Sequence, residues 1–378
     1  MGRFRTQPVG VDIDRGAVKA VQVAGGGGGS TLQHVGYRRL PPGAVVEGEV
    51  ADHDLLVSEI QEFWSTHSFR GRDVVLGVAN QRVVVRLLDF PRMDDDDLAS
   101  AISFEAQDHI PMPMDEAIMD YTVLGPQGEG SDLDRILIVA AQKDMIYRYT
   151  SAVRAAGLRP VGVDVKALSL LRSTLPDALF EDESAVLLLD IGTELTNLVI
   201  SQNGNPTLTR FIPGGSGYFV QAIADAADLP EDEAEKQLMN PRVRIGYGAH
   251  EEGGAADEGT TEEGTTEEGS EEFDPALAYD VRRGLEDAAQ TLTEDVQRSI
   301  EYHYSQPGAR EVSQVVLSGE GALVAGLDSY LGELLGISAE RGNPLRKLGT
   351  NRSNVPDEQL RVMEPVLAVA LGLALEDE

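Results

Sequence analysis

The chain has no cysteine in 378 residues. Disulfides and thiolate metal sites are excluded, and a reducing compartment suits it. Aromatic residues make up 5%, with one tryptophan, Trp64. Trp64 falls in register with Leu56, Ile60 and Phe63 across 52–67, which reads as a helix with Trp64 in its core rather than as a stacking platform. Positive charge is scarce: the five lysines are Lys19, Lys143, Lys166, Lys236 and Lys347, and the net charge is −33. Taking the eleven acidic residues of 251–274 out of −33 still leaves −22. That disfavours nucleic acid and bare anionic membrane as partners. No long apolar run is present. The run from Pro365 to Leu375 has about 11 residues, short of the roughly 20 that span a bilayer, and Met1–Thr6 lacks the apolar core of a signal peptide. A soluble cytoplasmic protein without direct membrane insertion is expected. Familiar catalytic patterns are missing too. Gly214-Gly215-Ser216-Gly217-Tyr218 is not a Gly-x-Ser-x-Gly elbow, and the histidines (34, 53, 67, 109, 250 and 303) lack metal spacing.

What is present begins with a repeated pattern. Val9 to Val21 is an apolar strand ending in Asp12, a tight turn, then a second apolar strand with Val18-Lys19. Leu187 to Ile200 repeats it with Asp190, the turn Ile191-Gly192-Thr193, and Thr196-Asn197. One Asp-x-Gly turn says little. Two, about half a chain apart, predict a duplicated α/β fold. Such a fold can hold a phosphate chain between its halves, with turn N–H groups meeting phosphate oxygens and Asp12 and Asp190 facing a metal ion. Length predicts two or more domains, and a 42% hydrophobic fraction predicts globular packing.

The first strands read as 9–13, 18–23 and 31–37, with Gly25–Gly29 as a flexible hairpin turn, since no helix with Gly-Lys-Ser/Thr follows. Strands follow at 74–79 and 82–89. Asp94–Asp97 reads as the opening of a helix over Leu98, Ala101, Ile102 and Phe104, capping free N–H groups and meeting the positive dipole end, rather than as a metal site. Strands 117–124 and 134–141, helix 143–156 ending at Gly157, and strand 161–165 with a helix lead to the second turn. Strand 207–212 precedes Gly214-Gly215 and helix 218–227, and 231–239 reads as a short acidic helix. Residues 250–272 carry a tandem Gly-Thr-Thr-Glu-Glu and no apolar face, which reads as a disordered loop. Helix 276–304, strand 314–317 ending in Ser318-Gly319-Glu320-Gly321, and helices near 323–335 and 357–375 close the chain.

These residues resemble the actin/Hsp70/sugar-kinase superfamily, and within it the PilM family of actin-like type IV pilus assembly proteins, relatives of the division protein FtsA. The resemblance spans nearly the whole chain. It rests on Gly10-Val11-Asp12-Ile13, Asp89-Phe90-Pro91-Arg92-Met93, Asp190-Ile191-Gly192-Thr193, Arg210 with Gly214-Gly215, Ala234-Glu235, Arg298–Tyr302, Leu317-Ser318-Gly319 and Gly372–Leu375. Most specific is Phe104-Glu105-Ala106 with Ile110-Pro111-Met112-Pro113 and Met119-Asp120-Tyr121. The resemblance implies a duplicated actin/Hsp70-like (ribonuclease H-like) fold. It assigns 9–73 and 161–185 to subdomain 1A, 74–160 to an inserted FtsA-type 1C, 186–230 and 308–378 to 2A, and 231–307 to 2B. It implies a cytoplasmic, non-enzymatic scaffold beneath the inner membrane that binds the N-terminal tail of a PilN-like membrane protein, the alternatives being an ATP-binding ATPase or kinase of the actin superfamily and an FtsA-type cell-division anchor. Pilus motor or platform components and further copies of the chain are additional partners it allows. The acidic ending Leu375-Glu376-Asp377-Glu378 differs from the basic amphipathic tail of FtsA.

The resemblance also implies ATP with Mg²⁺, held by Asp12, Lys19, Asp190, Gly192, Thr193, Gly214, Gly215, Gly319 and Gly321, with Asp12 and Asp190 on the metal. Here the chain departs from the family. Where the first phosphate turn should read Asp-x-Gly-Ser, it reads Asp12-Ile13-Asp14-Arg15; where the adenosine turn should read Gly-Gly-Gly, it reads Gly319-Glu320-Gly321. A carboxylate about 4 Å from a phosphate costs on the order of 4 kcal/mol at an effective dielectric near 20. Both departures weaken anion binding, while the Asp190 turn is intact.

Overall fold

A computed structural model describes residues 7–25, 30–128, 130–175, 184–240, 243–246 and 275–375. The chain opens with an antiparallel meander, β1 (Val9–Ile13), β2 (Ala17–Ala24) and β3 (Ser30–Arg39). β1 is buried at every position, Asp12 included, as a strand in the middle of its sheet. A small hairpin, β4 (Val45–Val46) and β5 (Glu49–Val50), leads into α1 (His53–Thr66). Asp52 caps α1 by accepting the Leu55 N–H at 3.0 Å, and Leu56, Ile60 and Phe63 face the core. β6 (Asp73–Val78) runs parallel beside β1. The chain then leaves this sheet for β7 (Val83–Pro91), α2 (Asp95–His109), β8 (Ala117–Pro126) and β9 (Leu133–Gln142). It returns through α3 (Lys143–Ala155) to β10 (Arg159–Val165), parallel to β6, followed by α4 (Lys166–Thr174).

The second half repeats the scheme. β11 (Ala185–Ile191), β12 (Leu195–Gln202) and β13 (Asn205–Pro213) form a second antiparallel meander. Helices α5 (Ser216–Ala227), α6 (Glu231–Leu238) and the 30-residue α7 (Pro275–Tyr304) precede β14 (Val312–Ser318), parallel to β11. Next come α8 (Leu327–Leu335), β15 (Ser338–Arg341) parallel to β14, β16 (Leu348–Asn351), α9 (Asp357–Met363) and α10 (Ala368–Ala374). The sheet orders are β10-β6-β1-β2-β3-β16 and β13-β12-β11-β14-β15. Each is an antiparallel meander extended beyond its first strand by two parallel strands, so the duplication seen in the turns runs through both sheets.

Pairing redraws the expected subdomain limits. Residues 74–78 were expected in the inserted unit but form a strand between β1 and β10. Val74, Val75, Leu76 and Val78 are all buried there, an apolar run suited to the middle of a parallel sheet. β10 likewise belongs to the first sheet. The inserted unit is the sheet β7-β9-β8 with α2 on one face, over a core of Leu98, Ile102, Ala106, Ile136 and Ile138. Val83, Val85, Leu137 and Ala141 from the same sheet pack into the first lobe's core. The end of the chain, expected in the second lobe, crosses back: β16 pairs with β3, and Leu367, Ala370, Leu371 and Ala374 pack on Val21, Val23 and Leu32.

Two local expectations are corrected. The helix expected over 357–375 is three pieces, because Pro365 has no N–H to continue it, and a 3₁₀ turn covers Glu364–Leu367. Asp94 makes no side-chain capping bond; the acids Asp95–Asp97 act only through their place in the first turn of α2. Gly26–Gly29, the acidic 250–272 segment and Glu376–Glu378 lie outside the described residues. Among the described residues no helix is long and apolar enough to cross a membrane.

Candidate nucleotide cleft

The β1–β2 and β11–β12 turns meet at the junction of the two lobes. Their approach is tight: a Cβ on Gly16 would sit 2.1 Å from Thr193 Oγ1, so only glycine fits. The two turns also carry equivalent pairs in the same strand register, Asp12 opposite Lys19 and Asp190 opposite Asn197. This spacing of seven residues places both pairs inside the protein.

Asp14, just past β1, fills its own turn. Its Oδ1 accepts the N–H groups of Gly16 at 2.8 Å and Ala17 at 2.9 Å, and its Oδ2 accepts Lys19 Nζ at 2.5 Å. Lys19 Nζ also lies 3.5 Å from Asp12 Oδ2. Lys166, at the start of α4, reaches Asp12 Oδ1 at 2.6 Å and donates to the Ile13 carbonyl at 3.0 Å. Asp190 accepts Asn197 Nδ2 at 2.9 Å on one oxygen and Ser318 Oγ at 3.4 Å on the other. The buried Asp12 and the part-buried Asp14 thus share two buried amines. Burial pulls the Lys19 amine down, but Asp14 and Asp12, with Glu320 and Asp190, outweigh it and hold its pKa well above the usual value. Burial pushes the Asp14 carboxyl up, yet Lys19 and Lys166 win and hold it below the usual carboxylate value. Asp190 lies above its usual value through burial and the charge of Asp12.

Outside the turns lies a cleft of about 1100 Å³ whose walls include Tyr37, Arg39, Tyr218, Glu235, Val362 and Met363. Glu320 stands at its inner end. Gly319 precedes it at φ +79°, within 2.4 Å of the Ile191 carbonyl for any added Cβ, and Gly321 sits as closely on the Ile191 side chain. Glu320 Oε1 accepts the Tyr37 hydroxyl at 3.0 Å, and Oε2 accepts Thr193 Oγ1 at 3.1 Å. Burial and the Glu320 charge push the Tyr37 hydroxyl up, so it stays protonated as the donor. Gly214 and Gly215 lead into α5. The N–H groups of Ser216 and Gly217 there donate to the Gly192 and Thr193 carbonyls at 2.7 and 2.8 Å.

Asp12, Lys19, Asp190, Gly192, Thr193, Gly214, Gly215, Gly319 and Gly321 are all brought to this junction. Sequence reasoning missed Lys166, Tyr37, Asn197 and Ser318. Lys166 carried a signal, as one of five lysines placed directly after an apolar strand. Tyr37 carried none. A Mg²⁺–nucleotide complex needs Asp12 and Asp190 turned to the ion and the first-turn N–H groups turned to phosphate. Here both Asp12 oxygens face amines, both Asp190 oxygens accept hydrogen bonds, and the Gly16 and Ala17 N–H groups are spent on Asp14. The arrangement does not fit that complex. Among the described residues no three His, Asp or Glu side chains converge as a metal-binding set.

Two lobes of one topology, each with its Asp turn at a shared cleft, define a duplicated actin-like fold. The solved structure of MreB5 of Spiroplasma citri bound to ADP is similar at a TM-score of 0.52 and 14% identity, over 97% of this chain and 94% of that one. The ethanolamine utilization protein EutJ of Carboxydothermus hydrogenoformans is similar at 0.53 and 14%, over 98% and 90%. The family described as type IV pilus assembly protein PilM matches residues 10–249 and 270–378, and the chain belongs to that family. The structure described as a PilM-PilN type IV pilus biogenesis complex is similar at a TM-score of 0.79 and 29% identity, over 98% of both chains.

Proposed function

We propose that the chain is a non-enzymatic scaffold of type IV pilus assembly, held at the inner face of the cell membrane by the N-terminal tail of a PilN-like protein. The observation that carries this is the 29% identity, over 98% of both chains, to a protein solved in a PilM-PilN complex. The inserted unit supports it. Its sheet lies on the first lobe through Val83, Val85, Leu137 and Ala141 and contributes none of the charged groups around Asp12 and Asp190. A small sheet on a larger lobe creates a junction where an extended tail finds backbone partners and apolar pockets. In subdomain terms, 83–142 is 1C, and the first sheet with α1, α3 and α4 is 1A. An ATPase or kinase reading requires phosphate turns open to an anion, which Asp14 opposes.

The test uses a fluorescent peptide copied from the N-terminus of the PilN-like protein, read by anisotropy with the full chain. Binding is expected with equal affinity with and without Mg-ATP. Binding only in the presence of nucleotide would overturn the scaffold reading in this form.

A further inference from the structure

We propose that this chain supplies its own cleft ligand: Asp14 takes the anion seat of the first turn, Lys166 takes the cation seat on Asp12, and Glu320 ties the lobes together, so the cleft closes without nucleotide. The Asp14 carboxylate does what a phosphate oxygen would do in that turn. It receives two successive backbone N–H groups, from Gly16 and Ala17, and the buried Lys19 amine. Lys166 does what a metal ion would do. It meets an Asp12 oxygen at 2.6 Å and donates to the neighbouring Ile13 carbonyl at 3.0 Å, a pair of oxygens that otherwise suits a cation.

The closing links cross between the lobes at separate points. Glu320, steadied by Thr193 of its own lobe, receives the Tyr37 hydroxyl from β3 of the other lobe. Arg39, two residues along β3, meets Glu235 of α6 at 2.5 Å. The Glu47 N–H donates to Glu194 Oε2 at 2.6 Å, and Arg15 lies 3.8 Å from Glu194 Oε1. The Gly16–Thr193 contact leaves no room for a side chain between the turns. A ligand closes a two-lobed cleft by touching both sides more favourably when closed. Here those contacts belong to the chain itself, so closure is the resting state and a nucleotide has no differential contact to add. The inference concerns the cleft alone and does not depend on which tail the scaffold captures.

The chain has no native cysteine, so Ser65→Cys on α1 and Asp232→Cys on α6, both exposed, take a spin-label pair without background. Double electron–electron resonance on the labelled full chain should give one narrow distance distribution, unchanged by Mg-ATP. Arg39→Ala with Glu320→Ala should broaden it toward longer distances. Tyr37→Phe, which removes only the hydroxyl, should broaden it to a lesser degree and guards against misfolding of the double variant. Asp14→Gly should gain a thermal shift with Mg-ATP, of at least about 3 °C, that the parent lacks. A parent distribution that is broad and narrows only with Mg-ATP would overturn the proposal. So would clasp variants that fold and keep the parent distribution.

Discussion

Asp14 and Glu320 are carboxylates set in the turns that line the cleft, and each is fully engaged there by neighbouring groups. Asp14 is the acceptor of its own turn and the main partner of Lys19. Restoring glycine at both positions should tighten Mg-ATP binding at least tenfold, about 1.4 kcal/mol, from an affinity in the parent of ~1 mM or weaker, about −4 kcal/mol or less favourable. Isothermal titration calorimetry on both proteins checks this, and a micromolar parent would contradict it. Asp14→Asn keeps an acceptor oxygen but discharges the pair, and should lower stability at pH 7 by about 3 kcal/mol, the scale of breaking one buried ion pair. The sign with pH follows from the direction of the shift. The folded-state value of Asp14 lies below its unfolded value of about 3.9. Its stabilising contribution is complete above that value and is lost as pH falls through the folded value. The gap between parent and Asp14→Asn in urea unfolding should therefore be full at pH 7 and shrink below about pH 4.

At the scale of elements, β6 decides how the protein can be cut. Removing 74–160 would take out a strand flanked by β1 and β10, with four buried apolar side chains worth ~1.5–3 kcal/mol each. That deletion should yield insoluble protein. The Val83–Ala141 pair closes the base of the insert, so replacing 83–141 with a short turn leaves both lobes intact. This variant should stay folded by circular dichroism, with a lowered melting temperature because Val83, Val85, Leu137 and Ala141 no longer cover the first core. It should also lose the PilN-like peptide in the anisotropy assay. Retained binding would place the tail elsewhere. Much at this scale was legible: the meanders, α1 and α7 follow from apolar spacing. The sheet that β6, β10 and β16 would join was not, because the mostly apolar β6 fits the middle of any sheet, β10 alternates exposed and part-buried positions as any edge strand can, and the short β16 has no apolar pattern, so their neighbours are chosen only when the sheet assembles.

For the whole molecule, charge is the dominant property. The net charge is −33, and the 250–272 segment concentrates acids with no apolar side chain beyond alanine. Replacing 250–272 with a short Gly-Ser bridge should leave the melting temperature within ~3 °C, about 2 kcal/mol for a chain of this size. Chain segments with nothing to bury cost little to shorten. A collapse in soluble yield would show that the segment contributes to folding. Each lobe has a core, one built on β1 and β6 and the other on β11 and β14, and the first runs on into the second lobe through Val186, Leu188, Val199 and Val316, while the chain's return through β16 and α10 ties the lobes further.

The sequence by itself determined the duplicated turns, the strands that carry them, and the presence of Asp14 and Glu320 in two of the turns, because turn geometry and burial of alternate or continuous apolar positions are set by residues a few places apart. Only the tertiary structure decided what those carboxylates touch. Lys166 donates to the Ile13 carbonyl, 153 residues away, and Tyr37 meets Glu320 across 283. Such pairs form only in the assembled fold, Lys166 with Ile13 inside the first lobe and Tyr37 with Glu320 between the lobes, and no local spacing along the chain encodes which side chains will then face each other.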